Sequence, residues 1–253
     1  MSRRARLAIF AVSAAVFAFL LIWGLSGLPD FGHYQGRYGR VIAKIAVPER
    51  KATNTVVSTT FDFRGFDTLI EEFILFTAAI AVTVLLRAQR GEREQEERAE
   101  AQPVREARSS EALRTLGAGL VGPVVVLGLY VVTHGQLTPG GGFQGGVVVM
   151  AALLLVYVAG NFFAMRRVSP HALAEAAEGA GAAGFALIGL GGLIFAAAYL
   201  ENFLPLGEMN DLLSGGTIPL SNVAVGLEVA GAFVLIASEL LDQQLMSGRG
   251  GDV

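Results

Sequence analysis

The residues in this sequence that could do chemistry are carboxylates near or inside apolar runs, together with one histidine beside a glycine-rich string. In Phe61-Asp62-Phe63-Arg64-Gly65-Phe66-Asp67-Thr68-Leu69-Ile70-Glu71-Glu72, Asp67 and Glu71 are four residues apart. On a helix they share a face and repel. At a membrane such a pair is tolerated when it shares a proton or a cation, or when a nearby arginine offsets it. Arg64, three residues before Asp67, is the local counter-charge. A plainer reading makes Asp67 an N-cap, with the acids favouring the positive end of the helix that follows.

The string Tyr130-Val131-Val132-Thr133-His134-Gly135-Gln136-Leu137-Thr138-Pro139-Gly140-Gly141-Gly142-Phe143-Gln144-Gly145-Gly146 is a candidate helix break. Pro139 lacks the amide hydrogen a helix needs, and Gly140, Gly141 and Gly142 open backbone conformations closed to other residues. A broken backbone at membrane depth must be satisfied by protein or by a water-filled path. His134 is the histidine beside that break, and an imidazole titrates near neutral pH, as a proton relay requires. Gln144 completes the polar groups of the string. The simpler alternative is an ordinary turn with a histidine at the interface. No Gly-Lys-Ser/Thr follows the glycines, so this is not a phosphate-binding loop.

Further acids cluster towards the C-terminus. Glu175 and Glu178 are three apart, and Glu201, Glu208 and Asp211 fall between two apolar runs. Glu228 lies within the last run, and Glu239 follows 11 residues later, which returns it to nearly the same helix face. A carboxylate inside a span costs about 2.5–3.5 kcal/mol on insertion scales, so it faces a partner or a polar path. Glu228 is therefore read either as a proton or cation site or as the partner of a neighbouring subunit.

The elements that must carry these residues are membrane helices. The chain is 53% hydrophobic and 16% charged, against about 25% charged in soluble domains. Apolar runs long enough to span, at about 20 residues each, fall near 7–25, 68–86, 116–132, 147–165, 179–200 and 221–241. The first follows Arg3, Arg4 and Arg6, as a signal peptide would, but it exceeds the usual apolar core of about 7–15 residues and reads as a retained anchor. Lys and Arg are absent from 134–146 and 201–220, while Arg166, Arg167 and Arg249 join the N-terminal arginines and those of 87–114 on the other side. That bias predicts both termini inside. The loop 26–67 runs against the bias, and as a long loop it weighs less.

Residues 91–111 are charged, lack apolar periodicity and include Pro103, and so read as a solvated cytoplasmic linker. The expected architecture is all-α and integral to the membrane: a two-helix module at 1–90, the linker, and a four-helix module at 112–253. Zero cysteines exclude disulfides and thiol chemistry, and His33, His134 and His171 show no metal-ligand spacing. No hydrolase, zinc-protease, dinucleotide or nucleotide motif is present, and no basic patch suits nucleic acid. A catalytic role and a cofactor are not expected.

The stretch 130–146, with Leu204-Pro205-Leu206-Gly207, the run 213–220 and Asn222 to Glu228, resembles the B subunit of Mrp-type (Mnh) sodium/proton antiporters over roughly 112–246. VVSTTFDFRGFDTLIEE at 56–72 resembles the end of the Mrp A subunit, or the small E-type subunit of membrane-bound hydrogenases, over about 5–90. That pattern usually carries glycine where Ile70 stands, and Glu72 is an additional acid. Position favours Glu71 over Glu72 as the functional counterpart, and both stay open.

The resemblance implies a non-catalytic, multi-pass subunit of the cell membrane, partnered by other Mrp-type subunits and by lipid, in a complex that exchanges Na⁺ for H⁺. It places Asp67, Glu71 and His134 near an ion path; with Arg64 tuning the carboxylates and Glu228 relaying protons, as the residues themselves suggest, the expected path is Asp67, Glu71, Arg64, His134 and Glu228, with transient Na⁺ at Asp67 and Glu71. The alternatives are an ion-translocating subunit of a hydrogenase- or ferredoxin-linked redox complex, and a scaffold that carries no ion.

Overall fold

The structure, a computed structural model, describes residues 3–28, 32, 36–86 and 110–249. Every regular element among them is helical. Six helices are long and apolar enough to cross a membrane, two before the charged stretch and four after it, as the apolar runs predict. Most of the linker, 91–109, lies outside the described residues.

Two compact units divide at Val41 and Ile42. In the first, α1 (Arg3–Ser26) opens on arginines and from Leu7 to Ser26 is apolar around its circumference and exposed. Its 24 residues reach about 36 Å, enough to span the hydrocarbon core. The stretch read as a long loop holds its own elements, which from Ile42 on belong to the second unit. Helix α2 (Arg37–Arg50) is amphipathic, burying Ile42 and Ala46 and exposing most of its charged residues. Helix α3 (Thr55–Ser58) follows, capped by Asn54, and then a π-helical turn, Thr59–Phe63. The widened turn is closed by Arg64 N–H donating to Thr59 O at 2.8 Å. It aims Asp62 at Arg50 Nε (2.7 Å) and Asn202 Nδ2 (3.0 Å), with the Arg50 guanidinium 4.8 Å over the Phe63 ring.

The second unit is built around its last helix. After α4 (Gly65–Leu86) come α5 (Glu111–Thr133), α6 (Gly142–Ala159), α7 (Phe162–Val168), α8 (His171–Phe195) and α9 (Ile218–Arg249). Helix α9 packs against α4, α5, α6 and α8, and its span is the most buried of the six. Close packing comes from small residues, as expected where both neighbours and lipid are apolar. A Cβ on Gly146 of α6 would sit 2.7 Å from Gly226 O, and one on Gly231 of α9 would sit 2.6 Å from Glu178 N.

Three boundaries differ from the hydropathy runs. The fourth run is not one helix. It stops at Ala159, and Asn161 restarts the chain by accepting from Ala164 N–H at 2.8 Å, giving the short α7. The fifth helix begins at His171, directly after Pro170, and so includes Glu175 and Glu178 in its first turns. The glycine-rich break occupies 134–141, and Gly142 and Gln144 already lie in the first turn of α6.

That break is held from the N-terminal half. Asn54 Nδ2 donates to Gly135 O (2.8 Å), Thr138 O (3.0 Å) and Gly140 O (3.4 Å), while Asn54 Oδ1 accepts from Val56 and Val57 N–H. Thr53 Oγ1 donates to Leu137 O at 2.6 Å. Gly140 and Gly141, at φ 147° and 145°, adopt backbone that side chains oppose. Asn54→Ala removes a cap and orphans loop carbonyls together. It should cost about 3 kcal/mol, read as a lowered thermal midpoint of the purified membrane complex; an unchanged midpoint would show that the loop supports itself.

Candidate functional site

A cluster of three buried carboxyl groups lies where α4, α8 and α9 meet. Helix α4 turns Gly65, Thr68, Glu72 and Ala79 inward, a stripe at helical spacing. Glu72 is 5% exposed, Glu228 on α9 is 0% exposed, and Glu178 on α8 is 4% exposed. The Glu72 and Glu228 carboxyl groups lie within hydrogen-bonding reach of each other. Glu178 is close enough to Glu228 to feel its charge. The approach is possible because Gly181 and Gly231 let the α8 and α9 backbones touch on either side of these acids. A Cβ on Gly181 would come within 2.6 Å of Glu228 Cβ.

Among the described residues, none of the three acids meets a cation. Glu72 Oε2, Glu178 Oε1 and both carboxylate oxygens of Glu228 lack any hydrogen-bond donor. Two facing carboxyl groups make a hydrogen bond only when one of them carries a proton. Among the described residues, no group of three or more His, Asp or Glu is arranged to hold a metal ion. The chemistry this geometry offers is proton holding and proton transfer.

Glu228 stands ten residues into α9, about 15 Å from its start and so at middle depth. From Glu178, α8 leads back seven residues, about 10 Å, to His171. There His171 Nε2 is 3.3 Å from Glu175 Oε1, and its Nδ1 is 3.9 Å from Glu239 Oε1. Arg166 and Asp242 are the other charges acting on Glu239. Glu228 and Glu239 thus sit on one helix, one sealed in the core and the other at 18% side-chain exposure, four residues before the apolar span ends at Gln243.

The remaining sequence candidates are elsewhere. Asp67 and Glu71 share the outward face of α4, Glu71 being exposed and Asp67 half-exposed, and Asp67 is paired with Arg64 at the surface. Asp67 sits in the first turn of α4, inside the helix. His134 caps the end of α5, its ring stacked on Tyr130 at 4.1 Å and its Nδ1 3.1 Å from Thr133 Oγ1. Pro139 and Gln144 are exposed, whereas Gly141 and Gly142 are buried against α9. Gly142 N–H donates to the buried Asn222 Oδ1 at 2.8 Å. Of the five proposed ion-path residues, Glu228 alone enters the buried cluster. Glu72 and Glu178 are the members that residue spacing did not single out, and the stripe 65, 68, 72, 79 was the available signal for Glu72.

Comparison with known proteins divides the chain in two. Residues 112–235 match the family described as a domain related to the MnhB subunit of Na⁺/H⁺ antiporter. Residues 2–103 match the MbhE family, described as the E subunit of MBH. An uncharacterized protein of Methanocaldococcus jannaschii is 27% identical over 258 residues, covering 91% of this chain and 94% of its own. A chain of the membrane-bound sulfane sulfur reductase, an archaeal respiratory membrane complex, is 28% identical with a TM-score of 0.68, covering 94% of this chain and 98% of that one. A chain of the Mrp complex from Dietzia sp. DQ12-45-1b shares the fold at a TM-score of 0.65 and 24% identity, covering 95% of this chain and 26% of that one.

Proposed function

We propose that this multi-pass membrane protein, whose residues 2–103 match the MbhE family and 112–235 the MnhB-related family, is a non-catalytic subunit of a multi-subunit monovalent cation/proton antiporter in the cell membrane. The observation that carries the reading is a fully buried mid-span carboxyl, Glu228, inside the MnhB-related domain and facing a second carboxyl from the other domain. A buried acid at that depth is costly unless it serves an ion or a proton. Asp67 and Glu71 on the outward face of α4 fit a site completed by a neighbouring subunit, with Na⁺ as its transient ligand, because exposed carboxylates on a span are poorly matched to lipid.

The decisive measurement is Na⁺-dependent dissipation of ΔpH in everted vesicles, with the complete operon compared against one lacking this gene. Loss of Na⁺-dependent exchange is expected; undiminished exchange removes the reading. Within it, Glu71→Gln keeps size and deletes charge, and should lower exchange per assembled complex by about tenfold or more. Wild-type exchange would release Glu71 from the path.

A second reading, an ion-translocating subunit of a redox-driven complex, is favoured by one observation. The respiratory-complex chain corresponds to this one over 98% of its own length, whereas the match spans 26% of the Mrp chain. Genes for iron–sulfur and nickel–iron proteins beside this one would select it, and their absence would favour the antiporter.

A further inference from the structure

Glu72, Glu178 and Glu228 come from three helices and two family domains, and each is more than nine-tenths buried with at least one oxygen lacking a donor. Acids buried only to pack would be neutralised by Arg or Lys, or bonded to backbone N–H groups, and among the described residues neither occurs. The charges around the cluster are themselves acidic. Glu71 flanks Glu72 on α4, and Glu175 flanks Glu178 on α8. Towards the His171 end the company changes: His171, Glu175, Glu239, Asp242 and Arg166 form a mixed, partly exposed group. Towards the other end of α9, Val225 and Ala224 lie between Glu228 and Asn222 and are buried. Buried apolar residues thus flank the cluster on both sides along α9: Ala224 and Val225 towards its start, and Val234 and Leu235, packed with Ala174 of α8, towards the His171 end.

We propose that Glu72, Glu228 and Glu178 form a proton relay in the core of this chain. This deepens the proposed function and rests on it for the direction of use. In each step a proton leaves one carboxyl oxygen and is taken up by the next. Glu72 and Glu228 hold one between them, and Glu228 and Glu178 exchange it. No bond other than O–H or N–H changes, and no electron moves. The occupant is a proton because the three carboxyls do not converge as metal ligands do.

Two measurements on membranes containing the complete complex test the relay. Dicyclohexylcarbodiimide couples to protonated carboxyls in apolar surroundings, and adducts are mapped by mass spectrometry. Wild-type protein should carry the adduct on Glu72 or Glu228, and it should not require Na⁺. Absence of an adduct from both overturns the proposal, and this arm uses unaltered protein, so it is immune to misfolded variants.

The second measurement is proton movement per assembled complex, with assembly read on native gels. Glu72→Gln, Glu178→Gln and Glu228→Gln should each lower it by about tenfold or more, and the Glu72→Gln/Glu228→Gln double variant should be no worse than Glu228→Gln, because both act on one path. Wild-type rates in assembled Glu228→Gln complexes overturn the relay. The two failures are distinguishable. If deleting the gene abolishes Na⁺-dependent exchange while the pair stays unlabelled, the relay falls and the function stands; labelling with gene-independent exchange does the reverse.

Discussion

Gly142→Ala should destabilise the protein by about 3 kcal/mol or more, although the same change improves helix propensity by about 1 kcal/mol. The added Cβ would lie 2.8 Å from Val225 Cβ and 2.9 Å from Gly226 N, and it would also overlap Asn222 O. Two of those atoms are backbone of α9, so no rotamer change relieves the clash and the helices must separate. Overpacking of this kind costs about 1–3 kcal/mol. Separation also lengthens the buried bond from Gly142 N–H to Asn222 Oδ1, and an orphaned buried group adds about 1–3 kcal/mol. Gly119 in α5 supplies the opposite sign, since nothing lies within 4 Å of its Cβ position. Thermal unfolding of the purified complex should show Gly142→Ala well below wild type and Gly119→Ala at or above it. Equal midpoints for the two would mean that α6 and α9 do not pack as described.

Arg50→Met should cost about 2–3 kcal/mol. Asp62 is 8% exposed at its side chain, and Arg50 Nε holds Oδ1 at 2.7 Å while Asn202 holds Oδ2. Removing one member of a buried pair costs about 3–5 kcal/mol. Asn202 remains, and Arg50 is 28% exposed, so solvent screening lowers the figure. Arg50→Lys should recover only part of the loss, because an ammonium cannot reproduce the planar guanidinium placed over the Phe63 ring. The informative comparison is Arg50→Met/Asp62→Leu, which deletes both charges and should return most of the stability. A double variant as poor as the sum of its singles would show that the two residues act independently.

The spans were legible because each is a long apolar run, and the break at 134–141 was legible because Pro139 and the glycines cannot continue a helix. The inward face of each span was not. In a soluble helix the polar side marks the outside, whereas here core and lipid-facing sides are both apolar, so little distinguishes Glu71 from Glu72 except about 100° of helix rotation. Only the contact with α9 shows that Glu72 turns inward and Glu71 outward. The Gly160–Asn161 stop carried a local signal, a glycine followed by a capping residue, which hydropathy averages away. The start of α8 at His171 carried another in Pro170. The meeting of Glu178 and Glu228 had no local signal, because it depends on α8 and α9 running antiparallel at Gly181 and Gly231.

The meeting of Glu72 with Glu228 also sets a problem for biogenesis. Glu228 follows Glu72 by 156 residues, so a ribosome adding about 5–20 residues per second delivers it on the order of ten seconds later. Throughout that interval α4 carries an acid without its partner, and such a helix is held in a bilayer less firmly than its apolar length suggests. Helix α9, made last among the described helices, completes the assembly that α4 entered unfinished. Truncation before α9 should therefore leave α4 poorly retained in the membrane, and quality-control proteases would find their substrate there.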